Sequence, residues 1–180
     1  LLTITAGVPV LDTYGNLTNV SSGSYFGMDT SGNSKIAGNE KTPLTQGATG
    51  LVIGVTQTPG DITGIWNFAG NDGTDYTTAA VTGSTETGLN MSGWTVTWNG
   101  IPAIPMGTGA WGTGFSESTG NFVWDGNVGS TYTLTYHGTV PVGDPSGFGG
   151  VKYELFLTGT VAAIPEAETY AMMLAGLGLV

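Results

Sequence analysis

The chemistry open to this chain rests on oxygen ligands, flat aromatic rings and a single imidazole. Asn71-Asp72-Gly73-Thr74-Asp75 groups oxygen-bearing side chains around a glycine. Hard divalent cations take oxygen ligands, so Asn71, Asp72 and Asp75 are candidate Ca2+ ligands, although no Glu follows at the twelfth place of an EF-hand. Asp61 or Asp144 would have to complete such a site in space. Five tryptophans offer rings that could stack on sugars. Trp94 and Trp98 share a face with Val96, and Trp124 adjoins Val123, which is core patterning. Trp111, among Gly107, Gly109, Gly112 and Gly114, and Trp66, next to Asn67, are the candidate carbohydrate-binding residues. His137 is the single histidine, so a three-histidine zinc site within one chain is impossible. There is no Gly-x-Ser-x-Gly elbow. Asp61, Glu86, Glu117 and Asp125 could pair for glycoside hydrolysis, but only as any acidic surface could. No catalytic residue is assigned, and the chain is expected not to be an enzyme.

Any such residues must be positioned by strands. Thr, Val, Tyr and Trp suit a pleated surface, and 32 glycines without a Gly-X-Y period supply tight turns. Thr131 to Val140 alternates cleanly, with Tyr132, Leu134 and Tyr136 on one side and Thr131, Thr133, Thr135 and His137 on the other. Val151 to Val161 alternates likewise, with Lys152 and Glu154 opposite Val151, Tyr153, Leu155 and Leu157. The intervening Pro141–Gly150 is too short for a crossover helix, so the two strands are expected to be antiparallel neighbours. Trp94 to Trp98 leads into Asn99-Gly100, a strong hairpin turn. Leu51 to Thr56, Ile62 to Phe68 and Asn121 to Trp124 are further expected strands. Leu1 to Leu11 is an extended apolar end, expected to pair either within its own domain or on a neighbour's sheet edge. The fold class expected is all-β, an antiparallel β-sandwich or jelly-roll-like domain over residues 1–163, with a short C-terminal apolar helix after it.

Charge narrows the partners. Lys35, Lys41 and Lys152 stand against 13 acidic residues, for a net charge of −10. Nothing here could neutralise a phosphate backbone, so no nucleic-acid partner is expected. The balance favours solubility and attraction for divalent cations. Cysteine is absent, which removes thiol chemistry and Cys-type metal sites.

The β pattern stops at Pro165. Tyr170 to Val180 is a continuous apolar run, shorter than the roughly 20 residues needed to span a bilayer. Ile164-Pro165-Glu166-Ala167-Glu168-Thr169-Tyr170-Ala171-Met172-Met173-Leu174-Ala175-Gly176-Leu177-Gly178-Leu179 resembles the PEP-CTERM sorting signal. That signal has Pro-Glu-Pro, a polar link ending in Tyr-Ala, an apolar helix of the Leu-Ala-Gly-Leu-Gly type and an Arg-rich tip. Pro165 and Glu166 match the motif, Ala167 replaces its usual second proline, and the basic tip is missing. Residues 164–180 are therefore expected to be a sorting segment truncated before that tip, with Pro165, Glu166 and Ala167 as the sorting motif. The resemblance implies a Gram-negative bacterium making exopolysaccharide, export through the inner membrane, and handling by an exosortase-type membrane enzyme.

The expected function is that of an exported extracellular-matrix, biofilm or cell-surface structural protein. It would self-associate, even as a filament subunit, or bind exopolysaccharide, with Ca2+ as the one cofactor considered. The alternative is a non-catalytic carbohydrate-binding surface module.

Overall fold

A computed structural model describes residues 1–164; the sorting motif and the expected C-terminal helix lie outside the described residues. The chain folds into thirteen strands among the described residues: β1 (Val8–Leu11), β2 (Leu17–Ser22), β3 (Tyr25–Met28), β4 (Lys41–Pro43), β5 (Trp66–Phe68), β6 (Asn71–Thr77), β7 (Thr82–Ser84), β8 (Gly88–Asn90), β9 (Trp94–Trp98), β10 (Ile101–Pro105), β11 (Thr119–Trp124), β12 (Thr131–Thr139) and β13 (Lys152–Thr160). One short 3-10 turn, Gly38–Glu40, precedes β4.

All strand pairings are antiparallel. A seven-stranded sheet runs β4-β3-β13-β12-β11-β8-β7, a four-stranded sheet runs β10-β9-β6-β5, and β1-β2 forms a separate ribbon. The two large sheets share one core. Phe26 of β3 stacks on Trp66 of β5 at 5.0 Å between ring centroids, and Tyr136 of β12 donates from its hydroxyl to the Met106 carbonyl at 2.9 Å. The architecture is all-β and sandwich-like.

The expected β12–β13 hairpin forms, pairing Thr131 with Thr160 at one end and Thr139 with Lys152 at the other. Its alternation buries Tyr132, Leu134, Tyr136, Tyr153, Leu155 and Leu157. Each fully buried side chain of this size contributes roughly 1.5–3 kcal/mol. The Asn99-Gly100 turn also forms, with φ of 50° and 75°, the left-handed pair that a tight hairpin needs.

Leu51 to Thr56 departs from expectation. Leu51 makes a single bridge to Leu2, and the chain then turns through Gly54 at φ 87°. The buried Gln57 carboxamide replaces a strand partner there: it accepts from the Val52 N–H at 2.7 Å and donates to the Gly50 carbonyl at 2.7 Å. The amino-terminal segment pairs within its own domain. Thr3 and Thr5 donate from their N–H groups to the Thr160 and Thr158 carbonyls, and Leu2 and Ile4 enter the core.

Candidate functional site

The hairpin register sets His137 directly opposite Glu154 on the outer face of the large sheet. His137 Nε2 and Glu154 Oε2 are 2.5 Å apart. The other carboxylate oxygen accepts from the Tyr25 hydroxyl on β3, the next strand over. His137 Nδ1 lies 3.1 Å from the Trp111 carbonyl oxygen. That oxygen can only accept, so Nδ1 carries a hydrogen.

The loop of residues 106–118 folds over this pair. Trp111 and Phe115 sandwich the imidazole nearly parallel, with ring centroids at 4.0 and 3.6 Å. Trp111 Nε1 donates to the Tyr153 carbonyl at 3.0 Å, and Asn121 Nδ2 donates to the Gly114 carbonyl at 3.2 Å. A Cβ on Gly112 would sit 3.2 Å from His137 Nδ1, so the glycine lets the loop approach the ring. Beside Glu154, Phe156 stacks on Tyr25 at 5.4 Å, and Lys41 Nζ lies 4.4 Å over the Tyr25 ring.

Electrostatics follow from this packing. Burial pushes the Glu154 carboxyl up, but hydrogen bonds from His137 and Tyr25, with the charges of His137 and Lys41, hold it below the usual carboxylate range. Burial, then the hydrogen bond to Glu154 and its charge, pushes the Tyr25 phenol up.

No family model, curated protein or solved structure matches this chain.

The arrangement holds; it does not present a reactive group. Both imidazole nitrogens are engaged, both ring faces are covered, and His137 is only 8% exposed. Around the pair lie the half-buried rings of Trp111, Phe115, Tyr25 and Phe156, beside Thr133 and Thr135.

The residues singled out by sequence fare differently. Trp111 is one of these half-buried rings, with one face taken by His137. Trp66 is 4% exposed and packs on Phe26; a Cβ on Gly73 would strike its ring, so its ring belongs to the core. Asn71, Asp72 and Asp75 lie along β6, not in a loop. Strand alternation exposes Asp72, which accepts from Asn67 Nδ2 at 3.1 Å, and buries Asp75, so the structure does not bring them together.

Asp75 instead enters the core, where the Thr63 hydroxyl donates to its Oδ1. Among the described residues its Oδ2 has no hydrogen-bond partner. Desolvation pushes this carboxyl up to about 6, with the Thr63 hydrogen bond opposing. A core cavity between the sheets, lined by Phe26, Trp66, Trp98 and Phe148 among others, measures about 20 Å3, room for one water at most.

The alternating pattern pairs the two strands without setting their register, so it does not bring His137 and Glu154 together. Counting outward from the Pro141–Gly150 connection would have set the two polar residues opposite each other.

Proposed function

We propose that this chain is an exported, non-catalytic structural protein of a bacterial matrix or cell surface, delivered by its carboxyl-terminal segment. The carrying observation is the run from Ile164 to Leu179, which resembles the PEP-CTERM signal and follows directly on the last strand. The acidic surface suits a hydrated extracellular setting, and the capped imidazole fits a body built for support. The body itself reads as jelly-roll-like, since the chain passes between the two large sheets at β4–β5, β6–β7, β8–β9 and β10–β11. Self-association is supported by the β1–β2 ribbon, which exposes Val8, Val10, Leu11 and Tyr14.

The test is fractionation of an exosortase-bearing host producing the full-length protein. The protein is expected in the surface or matrix fraction, and replacing Pro165 and Glu166 by alanine should retain it in the cell. A distribution indifferent to that change would overturn the proposal.

The half-buried Trp111 ring among the outer-face aromatics favours a second reading, a carbohydrate-binding module. It predicts retardation on exopolysaccharide-containing gels that Trp111→Ala abolishes while the thermal transition persists. Equal mobility with and without polysaccharide would remove it.

A further inference from the structure

The inner face of the large sheet is not covered along its whole width. β11 pairs with β12 from Asn121 to Trp124, which sets Phe122 opposite Leu134 and Trp124 opposite Tyr132. Directly opposed residues of an antiparallel pair share a face. Leu134 and Tyr132 are fully buried, yet Phe122 and Trp124 are only half-buried. The neighbouring strand explains the difference. β8 meets β11 only at Thr119 and Gly120, so among the described residues no strand follows β11 beyond that point. The gap is an open groove of about 310 Å3, lined by buried Leu2, Leu89 and Val161 and by half-buried Ile53, Phe122 and Trp124. Among the described residues no charged side chain lines it.

The path of the chain is the second observation. β11 and β13 end, and β12 begins, at the same end of the sheet, because Trp124 pairs with Tyr132 and Thr160 with Thr131. Val161, a lining residue, follows at once. Ala162 donates from its N–H to the Leu1 carbonyl at 2.8 Å, and the Leu1 amine donates to the Ala162 carbonyl at 3.1 Å. Leu1 also lines the groove. The described chain therefore leaves the fold at the groove, with Ile164 already 52% exposed. Beyond it, residues 165–169 carry Glu166 and Glu168, whereas residues 170–180 carry no charged side chain. At about 3.3–3.6 Å per residue, the step from Ile164 to Tyr170 spans at most about 20 Å. The apolar run thus begins within reach of a groove on its own chain.

We propose that residues 170–180 dock in this groove of their own chain and cover Phe122 and Trp124. The aromatic and aliphatic lining and the run are both uncharged in a chain of net charge −10. Taking both out of water is favourable in proportion to the apolar area covered. The tether selects the occupant. A short link holds its two ends at an effective concentration on the order of millimolar, which a second copy in dilute solution does not match. The docking rests on the groove and the apolar run, not on the sorting reading, and would hold for a chain that is never exported.

The chain has no cysteine, so Ala175→Cys gives one attachment point for a nitroxide spin label on the full chain. Paramagnetic broadening is then read by NMR on isotope-labelled protein. Loss of signal is expected at the Trp124 indole N–H and at the Phe122 and Leu89 amides, while the Trp111 indole N–H on the outer face keeps its intensity. Adding Leu174→Asp and Leu177→Asp to the labelled chain should restore the lost signals, and both changes leave residues 1–164 as they are. Broadening that survives those two changes would mean an end that is tethered nearby without docking, and would overturn the proposal. Full intensity at Trp124 in the Ala175→Cys chain would do the same. A mixture of isotope-labelled chains lacking nitroxide with nitroxide-bearing chains lacking isotope should show no broadening. Signal loss in that mixture would give the groove to a second copy and overturn docking within one chain. Fractionation tests the sorting reading separately, so either can fail without the other.

Discussion

On the inner face of the β12–β13 hairpin, Tyr132, Leu134, Tyr136, Tyr153, Leu155 and Leu157 are buried against the second sheet. On the outer face of the same residues' neighbours, His137, Glu154 and Phe156 lie under rings and a loop. The inner face is held by removal of apolar area from water, which is non-directional and large. The outer face is held by one imidazole and one carboxylate whose partners must all be in place. A directional cluster of this kind adds little net energy when complete, but it is costly when one member is missing.

Perturbing each face separates the two modes. Leu155→Ala, on the inner face, should cost about 2–5 kcal/mol, since the cavity it leaves has little room to collapse. Urea denaturation would measure this, and a cost below that of an outer-face variant would break the comparison.

Asp75 is the polar exception inside. Its folded pKa is raised from an unfolded value of 3.8 to about 6. Stability tied to its protonated form is therefore fully present below pH 3.8 and lost as pH rises through about 6. Ionisation at neutral pH should cost about 3 kcal/mol. Asp75→Asn should recover much of that at pH 7 and flatten this part of the stability profile. An unchanged profile would show that the carboxyl is not desolvated.

His137→Ala should cost about 2 kcal/mol, because Glu154 keeps its burial and loses a charged hydrogen-bond partner. Glu154 itself has a depressed folded pKa. Its contribution is present above the ordinary carboxylate pKa and lost as pH falls through the lowered folded value. Asp75 and Glu154 thus pull the acid limb in opposite directions, and Glu154→Gln should remove only the loss on acidification.

The smallest effect is expected from Lys41→Met, which removes the cation over Tyr25 at about 0.5–1 kcal/mol and should act more weakly in high salt. A salt-insensitive loss of several kcal/mol would mean that Lys41 supports the fold by packing alone.

The elements legible in the sequence were those whose pattern repeats. Thr131 to Val140 and Val151 to Val161 announce their buried faces by period two, and Asn99-Gly100 announces its turn. Leu51 to Thr56 misled because an unbroken apolar run carries no period: it lacks a facing strand, and Gln57 takes that place. The oxygen-rich segment Asn71 to Asp75 lies within a strand, with Gly73 beneath Trp66, and strand alternation separates Asp72 from Asp75.

Composition and alternation by themselves determined an all-β body and which faces of its longest strands leave water, because burial depends on side-chain type and a period that each strand carries alone. Register and loop path decided the rest. Only folding sets His137 on Glu154, closes Trp111 and Phe115 over the imidazole, and sends Asp72 and Asp75 to opposite faces. These are contacts between distant segments, and no local preference within either segment encodes them.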